Sequence, residues 1–407
     1  RAAEHLSISA EKAWERGDFT GAQAMFERSA TMARGGARAR VLWKIARVAE
    51  RAGDFARIGQ VAVEAIAEAR AAGDRAIELL AEIELAESRS HTDVRSQYED
   101  VTTVAQRALE ELEAMGDRAG ANVARETLAR FAFFAGRAQA SLDMTLQVFG
   151  DPSVTIPDRE RLVIEITASA YFGPAPAEEV LEILERCAVS MPDTPLARAR
   201  YHQVRTAPLA MLDRADEAHE AARIADAIWT ELGDDRLRIA SGQIRGEAER
   251  YLERWDLAEA VFRDGMERLD RAGEIGFNST MTALLATSLC DLGRFDDAVP
   301  LVEKSRSMTS ADDVASQNAW RLVASRVAVA GGDAAEGLAL AEAGLSFMET
   351  TDYIAWIAES HERIGEAALA AGDVRRARIE LAAARDGYHR KQILRWIRRL
   401  ETRLAEL

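Results

Sequence analysis

A short turn signal of the form Gly-Asp-x-x-x-small, set between two amphipathic runs, returns about every forty residues along this 407-residue chain. It reads Gly17-Asp18-Phe19 before Ala22, Gly53-Asp54-Phe55 before Ile58, Gly136-Arg137 before Ser141, Gly293-Arg294-Phe295 before Ala298, Gly332-Asp333 before Gly337 and Gly372-Asp373-Val374 before Ala377. Versions without the glycine stand at Asp213-Arg214 and Glu253-Arg254-Trp255, and degenerate ones at Thr92-Asp93 and Gly173-Pro174. Taking the residue after the glycine as the marker gives ten positions, and from 174 onward every step between them is 39 or 40 residues. Glycine can adopt the left-handed conformation that stops a helix, and an adjacent Asp can cap the next one. A second turn class, Gly73-Asp74, Gly116-Asp117, Gly233-Asp234 and Gly273-Glu274, closes the helix that follows. Two alternating turn signals describe antiparallel helix hairpins, and hairpins that cannot bury their apolar faces alone must stack.

The second helix of each hairpin carries small, large and small residues on one face: Ala22, Phe26 and Ser29; Ala258, Phe262 and Gly265; Ala298, Val302 and Ser305; Ala377, Leu381 and Ala384. The small residues let two helices approach closely while the large one fills the space between them. Composition agrees with helix throughout. Alanine makes up about a fifth of the chain, prolines number only 8, and 48% of residues are hydrophobic, enough for a sizeable core. The expected architecture is all-α: about ten hairpins over residues 1–390, with a closing helix at 391–407. An irregularity is expected near 149–176, where proline and glycine interrupt the pattern.

These residues resemble tetratricopeptide repeats. The small–large–small pattern matches that family's second helix, and Ile364-Gly365-x2-Ala368 matches the core of its first helix except at the final aromatic. The departures are the longer repeat, against about 34 residues in the family, and the mostly missing helix-closing proline. Longer units of this kind look like the C-terminal tetratricopeptide regions of large bacterial signal-transduction ATPases, among them maltotriose-responsive LuxR-type regulators and nucleotidyl cyclases fused to an ATPase. The resemblance implies a right-handed superhelical solenoid that recognises a protein or peptide, with a small effector as a further candidate.

Motifs that carry chemistry are absent from the sequence. It contains no Gly-x4-Gly-Lys-Ser/Thr loop for phosphates, no Gly-x-Ser-x-Gly elbow and no His-Glu-x-x-His pair. Six histidines fall in six different units, without metal-ligand spacing, and the carboxylate pairs sit at helix starts, where they complement the macrodipole. Cys187 and Cys290 make neither a disulfide framework nor a metal quartet and are expected to pack as small hydrophobes. No cofactor, metal site or catalytic residue is expected. A net charge of −16 argues against broad nucleic-acid binding, and no apolar stretch approaches a membrane span. Four lysines against 48 arginines suit a high-GC bacterial source. With no Met and no signal-like start at Arg1, a cytoplasmic region cut from a longer protein is expected.

Aligned on the small residue of the second helix, Trp43, Arg47, Arg130, Gln203, Gln243, Arg250 and Arg326 fall at the first-helix positions that, by the resemblance, line the groove. Arginines and amides with an aromatic can hold an anionic or extended ligand by bidentate and stacking contacts. On this expectation neither Arg250 nor Arg326 belongs to the inter-helix core, so losing both weakens binding and barely moves the melting temperature. The stretch from Asp373 to Leu407 carries a formal charge of +5 against −21 for the rest. Its last helix is expected to cover the final hairpin with an apolar stripe and to turn a basic face to solvent. Terminal hairpins of a solenoid can fray independently, so damage at Gly372 should stay local. The leading functional expectation is a non-catalytic recognition scaffold, the sensor or regulatory region of a larger bacterial signalling or transcription-regulating protein. The alternative is a free-standing interaction adaptor or oligomerisation module.

Overall fold

The computed structural model describes residues 1–15, 18–52, 54–92, 98–191, 193–232, 235–272 and 275–407. Among them lie twenty-one α-helices and no strand. The turn residues Gly17, Gly53, Asp93, Gly233, Asp234, Gly273 and Glu274 lie outside the described residues. The chain divides into two compact units, one of Arg1–Phe131 with Asp143–Leu162 and the other of Ala132–Leu142 with Val163–Leu407. Unit 1 holds α1 (Ala2–Glu15), α2 (Phe19–Met32), α3 (Gly35–Ala52), α4 (Phe55–Ala72), α5 (Arg75–Thr92) and α6 (Tyr98–Met115). The unit boundaries fall inside α7 (Arg118–Phe134), α8 (Ala138–Phe149) and α9 (Ile156–Phe172). Unit 2 continues with α10 (Ala177–Ala188), α11 (Pro195–Met211), α12 (Ala215–Leu232), α13 (Asp235–Tyr251), α14 (Trp255–Ala272) and α15 (Gly276–Asp291). It ends with α16 (Phe295–Met308), α17 (Val314–Ala330), α18 (Ala334–Met348), α19 (Ile354–Ala370), α20 (Val374–Lys391) and α21 (Leu394–Glu406).

The turn chemistry read from the sequence is what begins and ends these helices. The carboxylates of Asp18, Asp54, Asp333 and Asp373 accept hydrogen bonds from the backbone N–H three residues on, at 2.8–3.0 Å, and so cap α2, α4, α18 and α20. Gly372 has φ +82° and Gly332 has φ +89°, as a left-handed stop requires. In the turns that lack glycine, Asp213 (φ 58°) and Glu253 (φ 56°) take the same left-handed conformation themselves.

Helices pair in sequence as hairpins, α1 with α2, α3 with α4, α11 with α12 and α19 with α20 among them. The small–large–small face is the seam. Ala22, Ala258, Ala298, Ala377, Phe262 and Leu381 are fully buried. The seam also explains Gly365 in α19: a Cβ there would lie 2.8 Å from Leu381 Cγ, closer than packed carbons allow, so any larger residue would push the hairpin apart.

In unit 2 the last helices return to the first. Asp352 accepts from Ala138 N (2.7 Å) and Gln139 N (2.8 Å), so it caps α8 from 214 residues away. Tyr353 donates its hydroxyl to the Phe133 carbonyl. The Lys391 ammonium, fully buried, donates to the carbonyls of Tyr171 (2.7 Å), Gly173 (2.8 Å) and Ala175 (2.5 Å), in the last turn of α9 and just beyond it. The α21 stripe does cover α20, with Trp396 against Tyr388 (5.1 Å between ring centroids), but it also meets Tyr251 at 5.1 Å. Its basic face is not simply solvated, since Arg395, Arg399 and Arg403 pair with Asp213, Glu362 and Glu366. This last helix is therefore tied both to its own hairpin and to earlier turns of the unit.

Replacing Gly372 with Val forces a β-branched residue into φ > 0 and should cost about 1–3 kcal/mol. Nothing lies within 4 Å of the added Cβ, so the cost is backbone strain alone and Gly372→Asn should recover most of it. Urea unfolding of the two variants checks this. Equal losses would mean a steric rather than a conformational origin.

Candidate functional site

Each residue singled out from the sequence lies on an odd-numbered helix: Trp43 and Arg47 on α3, Arg130 on α7, Gln203 on α11, Gln243 and Arg250 on α13, Arg326 on α17. Alternate helices of stacked hairpins share a face, which is why one alignment found all seven. What the side chains do there differs from the expectation. Their charges are already spent on one another's neighbours.

In unit 1, Arg47 stands among Glu50 (3.2 Å), Glu126 (3.5 Å), Glu84 (3.8 Å) and Asp158 (3.9 Å). Arg130 reaches Glu50 and Glu87, both at 2.9 Å, and Arg161 pairs with Glu126. The two predicted arginines thus share Glu50, and α3, α5, α7 and α9 are tied by charge. Glu84 is only 2% exposed. Burial pushes its pKa up against the pull of Arg47, with Glu50 and Glu87 adding like charge. Trp43 is half-buried against the apolar cluster of Ala39, Ile77 and Leu80, and its indole N–H has no partner.

In unit 2, Arg250 pairs with Glu359 (2.7 Å) and Asp291 (3.6 Å), while Arg326 pairs with Asp291 at 2.6 Å and donates to the Thr287 carbonyl at 3.2 Å. Again one carboxylate, Asp291, joins two predicted arginines. Arg250 is 5% exposed, so the expectation that it lies outside the core is wrong. It lies over the Trp396 ring at 5.3 Å. Gln203 is buried. Gln243 donates to Glu247 (3.4 Å), which also accepts from the Tyr171 hydroxyl at 2.6 Å; that hydroxyl lies 2.9 Å from Tyr251's. Burial raises the Glu247 pKa to about 7, and the hydrogen bonds from Tyr171 and Gln243 only partly offset it.

A narrow pocket of about 20 Å³ opens on this face of unit 2. Arg250, Asn318, Leu322, Arg326, Trp356 and Arg363 line it, from α13, α17 and α19. Asn318 is 1% exposed; its amide donates to Ser360 Oγ at 2.8 Å, and its Oδ1 has no donor. Asn318 and the carboxylate partners were missed because the alignment scored arginine, glutamine and tryptophan. Applying the same register to acids and asparagine, with Glu50 one turn beyond Arg47, would have exposed the pairing. Among the described residues no group of three or more His, Cys, Asp or Glu is placed to hold a metal ion, and no helix is long and apolar enough to cross a membrane. Cys187 and Cys290 are free and buried.

Two consequences are measurable. Replacing Arg250 and Arg326 together with Ala removes the hydrogen-bonded partners of Asp291 and Glu359, leaving only Arg363 nearby, and should cost about 3–5 kcal/mol, because removing one side of a buried pair strands the other. A thermal melt unchanged in the double variant would contradict this. Glu247 has a raised pKa, so its contribution is fully present below about 4.5 and is lost as pH rises through about 7. Relative to Glu247→Gln, the native chain should therefore lose up to about 3 kcal/mol across that window. Parallel stability–pH curves would remove Glu247 as the source.

No family model matches the sequence, and no curated protein matches it. Solved structures do. The chain is similar to a Rap protein complexed with Competence and Sporulation Factor, at 11% identity over 99% of this chain and 99% of that one, with a TM-score of 0.59. It is similar to the APC/C hetero-tetramer Cut9–Hcn1 at 14% identity, over 98% of this chain and 84% of that one, with a TM-score of 0.54. It also matches a signal-transduction ATPase with a tetratricopeptide repeat sensor from Pyrococcus horikoshii at 15% identity, over 90% and 55%, with a TM-score of 0.45. The chain has the all-α fold of the tetratricopeptide-repeat proteins.

Proposed function

We propose that this chain is a non-catalytic recognition scaffold. It would serve in the cytoplasm as the sensor or regulatory region of a larger bacterial signalling or transcription-regulating protein, and it takes a protein or peptide segment on the odd-helix face of unit 2. The observation that carries this is Asn318: a buried acceptor without a donor, in a pocket walled by Leu284, Leu322, Val323 and Trp356. An unmade hydrogen bond in a buried site is costly, and a main-chain N–H from an extended segment supplies the missing donor. Likeness to a Rap protein solved with a bound factor along nearly the whole of both chains supports the reading. The arginines that line the pocket already carry carboxylate partners. A neutral or zwitterionic segment therefore suits the site better than the anionic ligand expected from the sequence. Binding acts on the rest of the protein only through differential affinity for two shapes of the stack.

Panning a random peptide library against the chain tests this. The expected result is a shared sequence whose affinity falls at least about tenfold in Asn318→Ala, the loss of roughly one well-placed hydrogen bond. Either no enrichment, or enriched peptides indifferent to Asn318, would sink the proposal.

A further inference from the structure

Three non-glycine residues have positive φ among the described residues: Asp213, Glu253 and Gln392. Asp213 pairs with the C-terminal segment, Glu253 lies beside it and Gln392 belongs to it. The Asp213 carboxylate accepts from Arg395 Nε (2.6 Å) and pairs with Arg398; Glu253 lies 3.9 Å from Arg399; Gln392 accepts from Glu178 N and donates to its carboxylate, both at 2.9 Å. The first two replace the glycine of the hairpin turn. An acid there strains the backbone and gains nothing for its own hairpin, but it gives the C-terminal arginines a carboxylate to land on. Left-handed non-glycine residues thus gather around this one segment.

The remaining polar contacts of the segment reach helix ends and main-chain atoms and, through Arg399 and Arg403, the carboxylates of Glu362 and Glu366 on α19. Lys391 fills the three carbonyls at the end of α9, Arg395 donates to the Leu252 carbonyl (2.6 Å), and Trp396 Nε1 donates to the Arg250 carbonyl (3.2 Å). Its buried apolar side chains are Ile393, Trp396, Ile397 and Leu400. The junction thus combines a short apolar stripe with charge and single hydrogen bonds at turn tips, several of them half-exposed.

We propose that residues 391–407 are a detachable clasp that seats on the turns at 171–178, 213 and 250–253, and that its release is a conformational step built into unit 2. Closed, the clasp fixes the first and last hairpins of the unit to each other. Open, it frees them to change spacing while every hairpin seam stays intact. Trp396 sits between the guanidinium groups of Arg250 and Arg399, at 5.3 and 5.4 Å, so release also frees a residue that lines the pocket. The inference stands apart from the recognition role, because its test uses no ligand.

Hydrogen exchange of the full chain, read by mass spectrometry, tests it with Asp213→Gly/Glu253→Gly. Glycine suits the left-handed backbone, so both hairpin turns keep their geometry and lose only the carboxylates. The expected result is faster exchange at 171–178 and 391–400 by a common factor of about tenfold, with 314–348 unchanged, since one opening exposes both. Lys391→Met should give the same paired pattern. Three outcomes would overturn the clasp: faster exchange at 391–400 alone, as in a frayed cap; uniform acceleration through unit 2, as in loss of core; or unchanged or slower exchange at both segments.

Discussion

Close approach of two helices across a line of alanine and glycine is the interaction on which everything else here depends. Where Leu381 faces Gly365 and Phe262 faces Gly246, the gap between helices is set by the absence of a Cβ. With that spacing fixed, the odd helices present one side to their hairpin partners and another to each other. Polar residues on the second side are forced into contact with the polar residues of the next repeat. A charged face in such a stack is not a free surface. It is an interior that must be balanced.

That balance explains why the arginines act in pairs through a shared carboxylate. Arg47 and Arg130 meet at Glu50, and Arg250 and Arg326 meet at Asp291. A lone buried charge would be prohibitive, and a shared acid lets one carboxylate serve two cations while neighbouring acids make up the count. Buried ion pairs of this kind add little net stability over apolar packing, yet they specify register strongly, because a shifted repeat would leave like charges facing each other. Glu84 shows the limit of the scheme, since burial raises its pKa even with Arg47 beside it.

Much of this was legible in the sequence because repeat turns are local. The Asp caps at 18, 54, 333 and 373 and the left-handed glycine at 372 follow from neighbours one to three residues away, as does the Ala–Phe–Ser seam of α2. The odd-helix placement of the seven candidate residues follows from periodicity. Their ion pairing did not follow, because the partners sit one or two repeats away and no local rule says which carboxylate an arginine will find. The return of α19–α21 to α8–α14 was hidden for the same reason. Its only trace was negative, in the turns at 213 and 253 that lack glycine. Weak matches to a repeat signature there were the signature of another contact.

The Lys391 contacts also bear on how the chain acquires its structure. A linear stack of hairpins folds through neighbours, and each repeat can settle soon after it is made. Tyr353 with Phe133 and Lys391 with Tyr171 each join residues 220 apart, so unit 2 adds long-range closure to an otherwise local topology. Such contacts slow folding, because a long loop must be ordered before they form. During synthesis the three carbonyls at the end of α9 wait, without their partner, for a lysine translated more than two hundred residues later. The hairpins between them are thus formed first and brought together afterwards, by residues translated later than all of them.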